Sequence, residues 1–185
     1  MRKLLPIMPL LLGLATAGCA SDTTGTSLKS DFDAGVAAYD AGDYAKAYKI
    51  WSAIDDDDIA AMRNVAMMRR QGLGTAKDPK GAEDMYLRAA EAGLPTAQAD
   101  LADMLIRGEA GEPDFKRALP LLEAAAAANH PLAQYELAQF YEVGQQVPRN
   151  MAVARDLYAA AASHAMKEAQ ARLDQLGPAS ADQAA

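Results

Sequence analysis

The sequence predicts an all-α protein, an α/α superhelical solenoid of helix-turn-helix repeats, and three observations carry that prediction. Residues recur every 36 positions: Ala61, Ala97, Ala133 and Ala169 are in step, as are Val65, Leu101, Leu137 and Leu173. Within each period two stretches place apolar residues at helical spacing. Glycines and capping residues then punctuate the period at the same two places in each copy. A fixed period of this length marks stacked units that bury their faces only against one another.

The elements follow in chain order. Residues 1–18 begin with Arg2 and Lys3, continue with an apolar run from Leu4 to Leu14, and end in Ala15, Thr16, Ala17 and Gly18. That is the pattern of a secretory signal, too short for a membrane span. The tetrad Thr16-Ala17-Gly18-Cys19 resembles the lipobox of bacterial lipoproteins. The resemblance implies cleavage before Cys19 and acylation of this residue, the only cysteine of the chain. Two or three acyl chains hold a protein on a membrane where one does not. The alternative is ordinary cleavage after Ala17, which leaves Cys19 a free thiol. Among lipoproteins, an Asp after the cysteine retains the protein at the inner membrane. Ala20 in that place implies the periplasmic face of the outer membrane.

Residues 19–30, polar and rich in Ser and Thr, are expected to form a flexible tether. Residues 31–59 look like a helix pair that turns at Gly42-Asp43 and caps the array, with Gly35, Ala47 and Trp51 at its small and bulky places. Asp55, Asp56, Asp57 and Asp58 follow as a solvated linker that N-caps a helix at Ile59. As a calcium loop this run lacks the central glycine and the closing Glu.

Three full repeats are expected at 60–95, 96–131 and 132–166. Gly72, Gly108 and Gly144 suit a left-handed turn after each first helix. Asp78, Asp114 and Asn150 stand where the second helix needs an N-cap, and Pro79 suits the first helical position. The pairs Ala89-Ala90, Ala125-Ala126 and Ala161-Ala162 allow close approach of helices, while Met85, Leu121 and Leu157 fill the gaps. Two departures stand out. Arg69 occupies the place of Leu105 and Tyr141, so its helix is expected to pack differently. Pro120 lies within a second helix, where a local 3₁₀ turn or a late start is expected. Residues 167–176 repeat only a first helix and form the C-terminal cap, and 177–185 form a disordered tail.

Together, A-x-x-x-L-A-x-x-[YL]-x-x-G, the loop G-x-G-x-x-x-D-x-x-K-A and A-x-x-[ML]-Y-x-x-A-A-x-x-G resemble the Sel-one-like repeat, a relative of the tetratricopeptide repeat. The loop GLGTAKDPKGA at 72–82 and the 36-residue period favour this form over the 34-residue one. The resemblance implies an interaction scaffold; hydrolase activity is suggested for cysteine-rich relatives, but this chain lacks the paired cysteines of their repeats.

Chemistry is sparse. The glycine loop contains no G-K-[ST] and follows a helix, so it is not a phosphate cradle. His130 and His164 are read as residues at the ends of second helices, where the helix dipole favours them. No nucleophile–base pair or metal-ligand spacing is present, so no catalytic residue, cofactor or metal is expected. The net charge is −7, from 18 basic and 25 acidic residues. Without Arg2 and Lys3 the 18 become 16, and the balance falls to about −9. An acidic chain argues against nucleic acid as a partner.

By analogy with tetratricopeptide grooves, first helices line the inner face. Arg63, Ala99 and Tyr135, then Met67, Asp103 and Gln139, then Arg70, Ile106 and Glu142 are the expected groove positions, with Tyr135 as an aromatic anchor. The expected partner is an extended peptide or a loop of another envelope protein. An alternative is a regulatory subunit that activates a cell-wall enzyme or an envelope assembly machine. No oligomeric state follows from these features.

Overall fold

The computed structural model describes residues 23–178, with side chains from Ser27 onward. Cys19, the signal segment and most of the tail lie outside the described residues. Nine helices and no strands occur among the residues described. They are α1 (Thr23–Asp40), α2 (Tyr44–Trp51), α3 (Ile59–Gln71), α4 (Pro79–Glu91), α5 (Pro95–Arg107), α6 (Phe115–Ala127), α7 (Pro131–Val143), α8 (Met151–Ser163) and α9 (Lys167–Leu176). Each helix packs mainly on its predecessor and its successor, as a solenoid requires. No described helix is long and apolar enough to cross a membrane.

Capping chemistry sets the helix starts. Asp58 accepts hydrogen bonds from the amides of Ala60 and Ala61 at 2.8 and 2.9 Å. Asp78, Asp114 and Asn150 cap α4, α6 and α8 in the same way. Each takes up amides that would otherwise have no partner in the first turn. Asp58→Ala is expected to cost about 1 kcal/mol, read as a lower urea midpoint with an unchanged slope.

The turns that follow second helices show where sequence and geometry disagree. Gly93, Asn129 and Ala165 stand 36 residues apart and all have positive φ, at 86°, 61° and 63°. Glycine adopts this conformation freely and asparagine tolerates it, whereas alanine is strained there. Ala165→Gly should therefore stabilise the last repeat by about 1 kcal/mol, net of the unfolded chain's extra freedom. Thermal unfolding would show it as a higher Tm.

The core is a line of small and large side chains threaded through the stack. Ala61, Ala97, Ala133 and Ala169 are fully buried, and Tyr86, Leu122 and Tyr158, on successive second helices, are buried with them. A second device also repeats. Gln98 Nε2 donates to the carbonyl of Ala90, and Gln134 Nε2 donates to that of Ala126, both at 3.3 Å. Each glutamine clips a first helix to the end of the preceding second helix. The 36-residue spacing of Gln98 and Gln134 was the available signal.

Four expectations change. The segment from Thr23 to Ser30, expected as tether, belongs to α1. Lys29 pairs with Asp33 one turn on at 2.6 Å, and Leu28 and Phe32 pack on the core, so the helix continues backward from the capping pair. Pro120 lies within α6 with no break. It and Lys116, whose carbonyl loses its partner, are both exposed, so water can satisfy the freed group. His130 is not a helix end but the N-cap of α7, its Nδ1 accepting from the amide of Ala133 at 3.4 Å. Burial holds its pKa below the usual histidine value, in keeping with an acceptor nitrogen. Arg69, in place of an apolar residue, leaves α3 regular. It reaches outward instead, donating from Nε to the Tyr48 hydroxyl at 3.2 Å.

Candidate functional site

First helices α3, α5, α7 and α9 present one face to solvent, and the groove residues proposed from sequence mostly meet there. That face is crossed by arginine–carboxylate pairs rather than by open side chains. Arg63 Nε donates to Asp100 Oδ2 at 2.5 Å, which joins α3 to α5. Arg70 forks to Asp103 at 2.5 Å and to both oxygens of Glu109 at 2.6 and 2.7 Å. Arg107 Nε reaches the other oxygen of Asp103 at 2.5 Å. A partly buried network of this kind, with its charges shared, rigidifies more than it stabilises. The Arg70 hydrogen bond holds the Glu109 carboxyl below its usual range, so it stays ionised.

The far end of the face is aromatic as well as charged. Tyr135 packs on Tyr158 with ring centroids 5.5 Å apart. The Tyr158 hydroxyl donates to Glu142 at 2.8 Å, and Arg172 of α9 pairs with the same carboxylate. Arg172 holds the Glu142 carboxyl below its usual range. At the near end, the Tyr39 hydroxyl donates to the Met67 sulfur at 3.9 Å.

Two open clefts indent this face. One, of about 760 Å³, is lined by Arg70, Gln71, Lys77, Asp103, Arg107 and Glu109. The other, of about 530 Å³, includes Tyr135, Gln139, Glu142, Val143, Tyr158 and Arg172. Gln139 and Val143 are exposed there. Met67 and Ile106 are half-buried against the core. Ala99 is a correction: it is fully buried and offers nothing to a ligand. Helix α5 is packed against α4 and α6, and a methyl group, unlike the longer Arg63 and Tyr135 side chains one period away, cannot reach past its neighbours.

Sequence reasoning missed Asp100, Glu109, Glu136 and Arg172. Asn64, Asp100, Glu136 and Arg172 stand exactly one period apart in turn, one position beyond the Arg63 row. Comparing that neighbouring row would have found three of the four. Glu109 sits in a loop and carried no periodic signal. Among the described residues no group of three or more His, Cys, Asp or Glu could hold a metal ion.

Comparison with known proteins agrees with this geometry. The family model described as "Sel1 repeat" matches residues 59–94, 95–130 and 131–165, one position ahead of the repeat boundaries read from the sequence. A crystal structure of a Sel1 repeat protein from Oxalobacter formigenes is similar at a TM-score of 0.73 and 30% identity, over 76% of this chain and 58% of that one. A protective antigen present in uropathogenic Escherichia coli strains, described as displaying an SLR fold, is similar in fold at a TM-score of 0.73. The identity there is 24%, over 83% of this chain and 34% of that one. The chain thus spans less than two thirds of either protein. No curated protein matches.

Proposed function

Because the chain belongs to the Sel1-repeat family, we propose that it is a non-catalytic protein–protein interaction scaffold whose first-helix face receives an extended peptide or loop of a partner. The observation that carries this reading is the face itself, where two clefts flank the cross-braced ion pairs. The braces hold neighbouring first helices in register, which lowers the ordering cost of binding. Exposed Gln139 and half-buried Tyr135 supply a polar contact and an aromatic one in the same cleft.

The finer reading adds location. Cys19 carries the lipid, and the array faces the periplasm from the outer membrane. The lipobox-like tetrad at 16–19 and Ala20 support it.

Two experiments test these statements. A photo-crosslinking residue at Gln139 should yield partner adducts in intact envelopes, while one at Glu91, exposed on α4, should not. Equal adducts from both positions would remove the groove from the account. Cys19→Ala should release the protein from membranes; unchanged association would end the lipoprotein reading.

A further inference from the structure

The stitching of the first-helix face skips one step. Arginine–carboxylate pairs join α3 to α5 through Arg63 and Arg70, and α7 to α9 through Arg172. Between α5 and α7 no ion pair occurs among the described residues. The 36-residue register explains the gap. One period after Arg63 stands Ala99, and one period after Arg70 stands Ile106, so both donors are gone from α5. The acceptor row was kept, because one period after Asp100 stands Glu136.

Glu136 is therefore a carboxylate whose repeat-matched arginine is missing. Its Oε2 is shut off from solvent without a hydrogen-bond partner. The two cations that act on Glu136 are already engaged. Arg70 is shared by Asp103 and Glu109, and Arg107 is held by Asp103. Of the charges that act on Glu136, Arg70 and Arg107 face Asp100, Asp103 and Glu136 itself, one negative charge in excess, while Lys77 lines the neighbouring cleft. Burial, and then Asp103, push the Glu136 carboxyl up to about 7; Arg107 and Arg70 oppose the rise and Asp100 adds to it. A buried carboxylate without a counter-charge is costly, and a ligand that brings one recovers that cost on binding. The larger cleft is lined by Asp103 and Arg107, two of the side chains whose charges act on Glu136.

We propose that a lysine or arginine side chain of the peptide partner supplies the cation that Ala99 lacks, pairing with Glu136 between α5 and α7. This rests on the groove reading above and makes it specific: the groove selects peptides with a basic residue at one position. Acidic and neutral residues at that position are disfavoured, the first by repulsion from Glu136, Asp103 and Asp100.

The test uses the full chain and three pools of fluorescein-labelled nonapeptides, degenerate except for a central Arg, Ala or Glu. Fluorescence anisotropy at pH 8, up to millimolar peptide, should show the Arg pool binding about tenfold more tightly than the Ala pool, in line with one desolvated charge pair. The Glu pool should be weakest. Glu136→Gln should erase the preference, so that the Arg and Ala pools bind alike, and Glu91→Gln, on an exposed carboxylate of α4, should preserve it. The preference should weaken from pH 8 to pH 6 as Glu136 takes up its proton. It should do so equally in His130→Asn, since His130 is the other titrating group near Asp100. Equal binding of all pools, or a preference that survives Glu136→Gln, overturns this inference and leaves the groove reading standing. No binding by any pool overturns both.

Discussion

Trp51→Ala is expected to cost the N-terminal helix pair about 3–5 kcal/mol, the usual range for removing a buried large aromatic. Trp51 is 2% exposed. Its Nε1 donates to the Phe32 carbonyl at 3.2 Å, and its ring packs on Phe32 and Tyr39 at 6.1 and 5.8 Å between centroids. It also lies directly on Gly35, where a Cβ would overlap the indole. The loss should stay local, because a solenoid unit contacts only its neighbours and the seam between α2 and α3 is the sparsest in the array. Hydrogen exchange is the measurement. Amides of α1 and α2 should lose protection while those of α5 to α8 keep theirs. Uniform loss across all helices would mean that the array unfolds as one cooperative unit. Gly35→Ala should repeat the pattern from the other side of the contact, at about 1–3 kcal/mol.

Glu136→Gln is expected to stabilise the protein by about 2 kcal/mol at pH 8 and by almost nothing at pH 4. The sign follows from the direction of the shift. The folded carboxyl titrates near 7, above its ordinary value of 4.5, so the folded state keeps a proton that the unfolded state releases between those values. Stability from this group is complete below about pH 4.5 and declines as pH rises through 7. Glutamine never acquires the charge and escapes the decline. Partial exposure of the side chain keeps the effect below the full value of the shift. Urea titrations of both proteins at pH 4, 6 and 8 would measure the difference, and a constant offset across that range would place the cause elsewhere.

The fold was legible because its signals are short-range. Gly72, Gly108 and Gly144 mark left-handed turns, with φ of 76°, 63° and 78°. Asp78, Asp114 and Asn150 are caps whatever packs above them. Buried Ala61, Ala97, Ala133 and Ala169 declared the stack through spacing alone. The site was half legible. Arg63, Arg70, Asp103, Tyr135 and Glu142 lie on one face, yet reading each as a free contact missed that several are already paired.

By itself, then, the sequence determined the helix pairs and their caps, which depend on residues within a turn or two of one another, and the period and order of the stack, which the 36-residue recurrence declares. Only the tertiary structure decided that Pro120 could stay helical, that His130 caps α7, that Ala99 is sealed in, and that Glu136 faces its neighbours without a counter-charge. Those outcomes depend on how far each helix is rotated and how far a side chain reaches across to the next. Arg63 to Asp100 spans 37 residues, Arg70 to Glu109 spans 39, and Arg172 to Glu142 spans 30. The pairing lies near the period without obeying it, because charges meet by geometry in space and not by position along the chain.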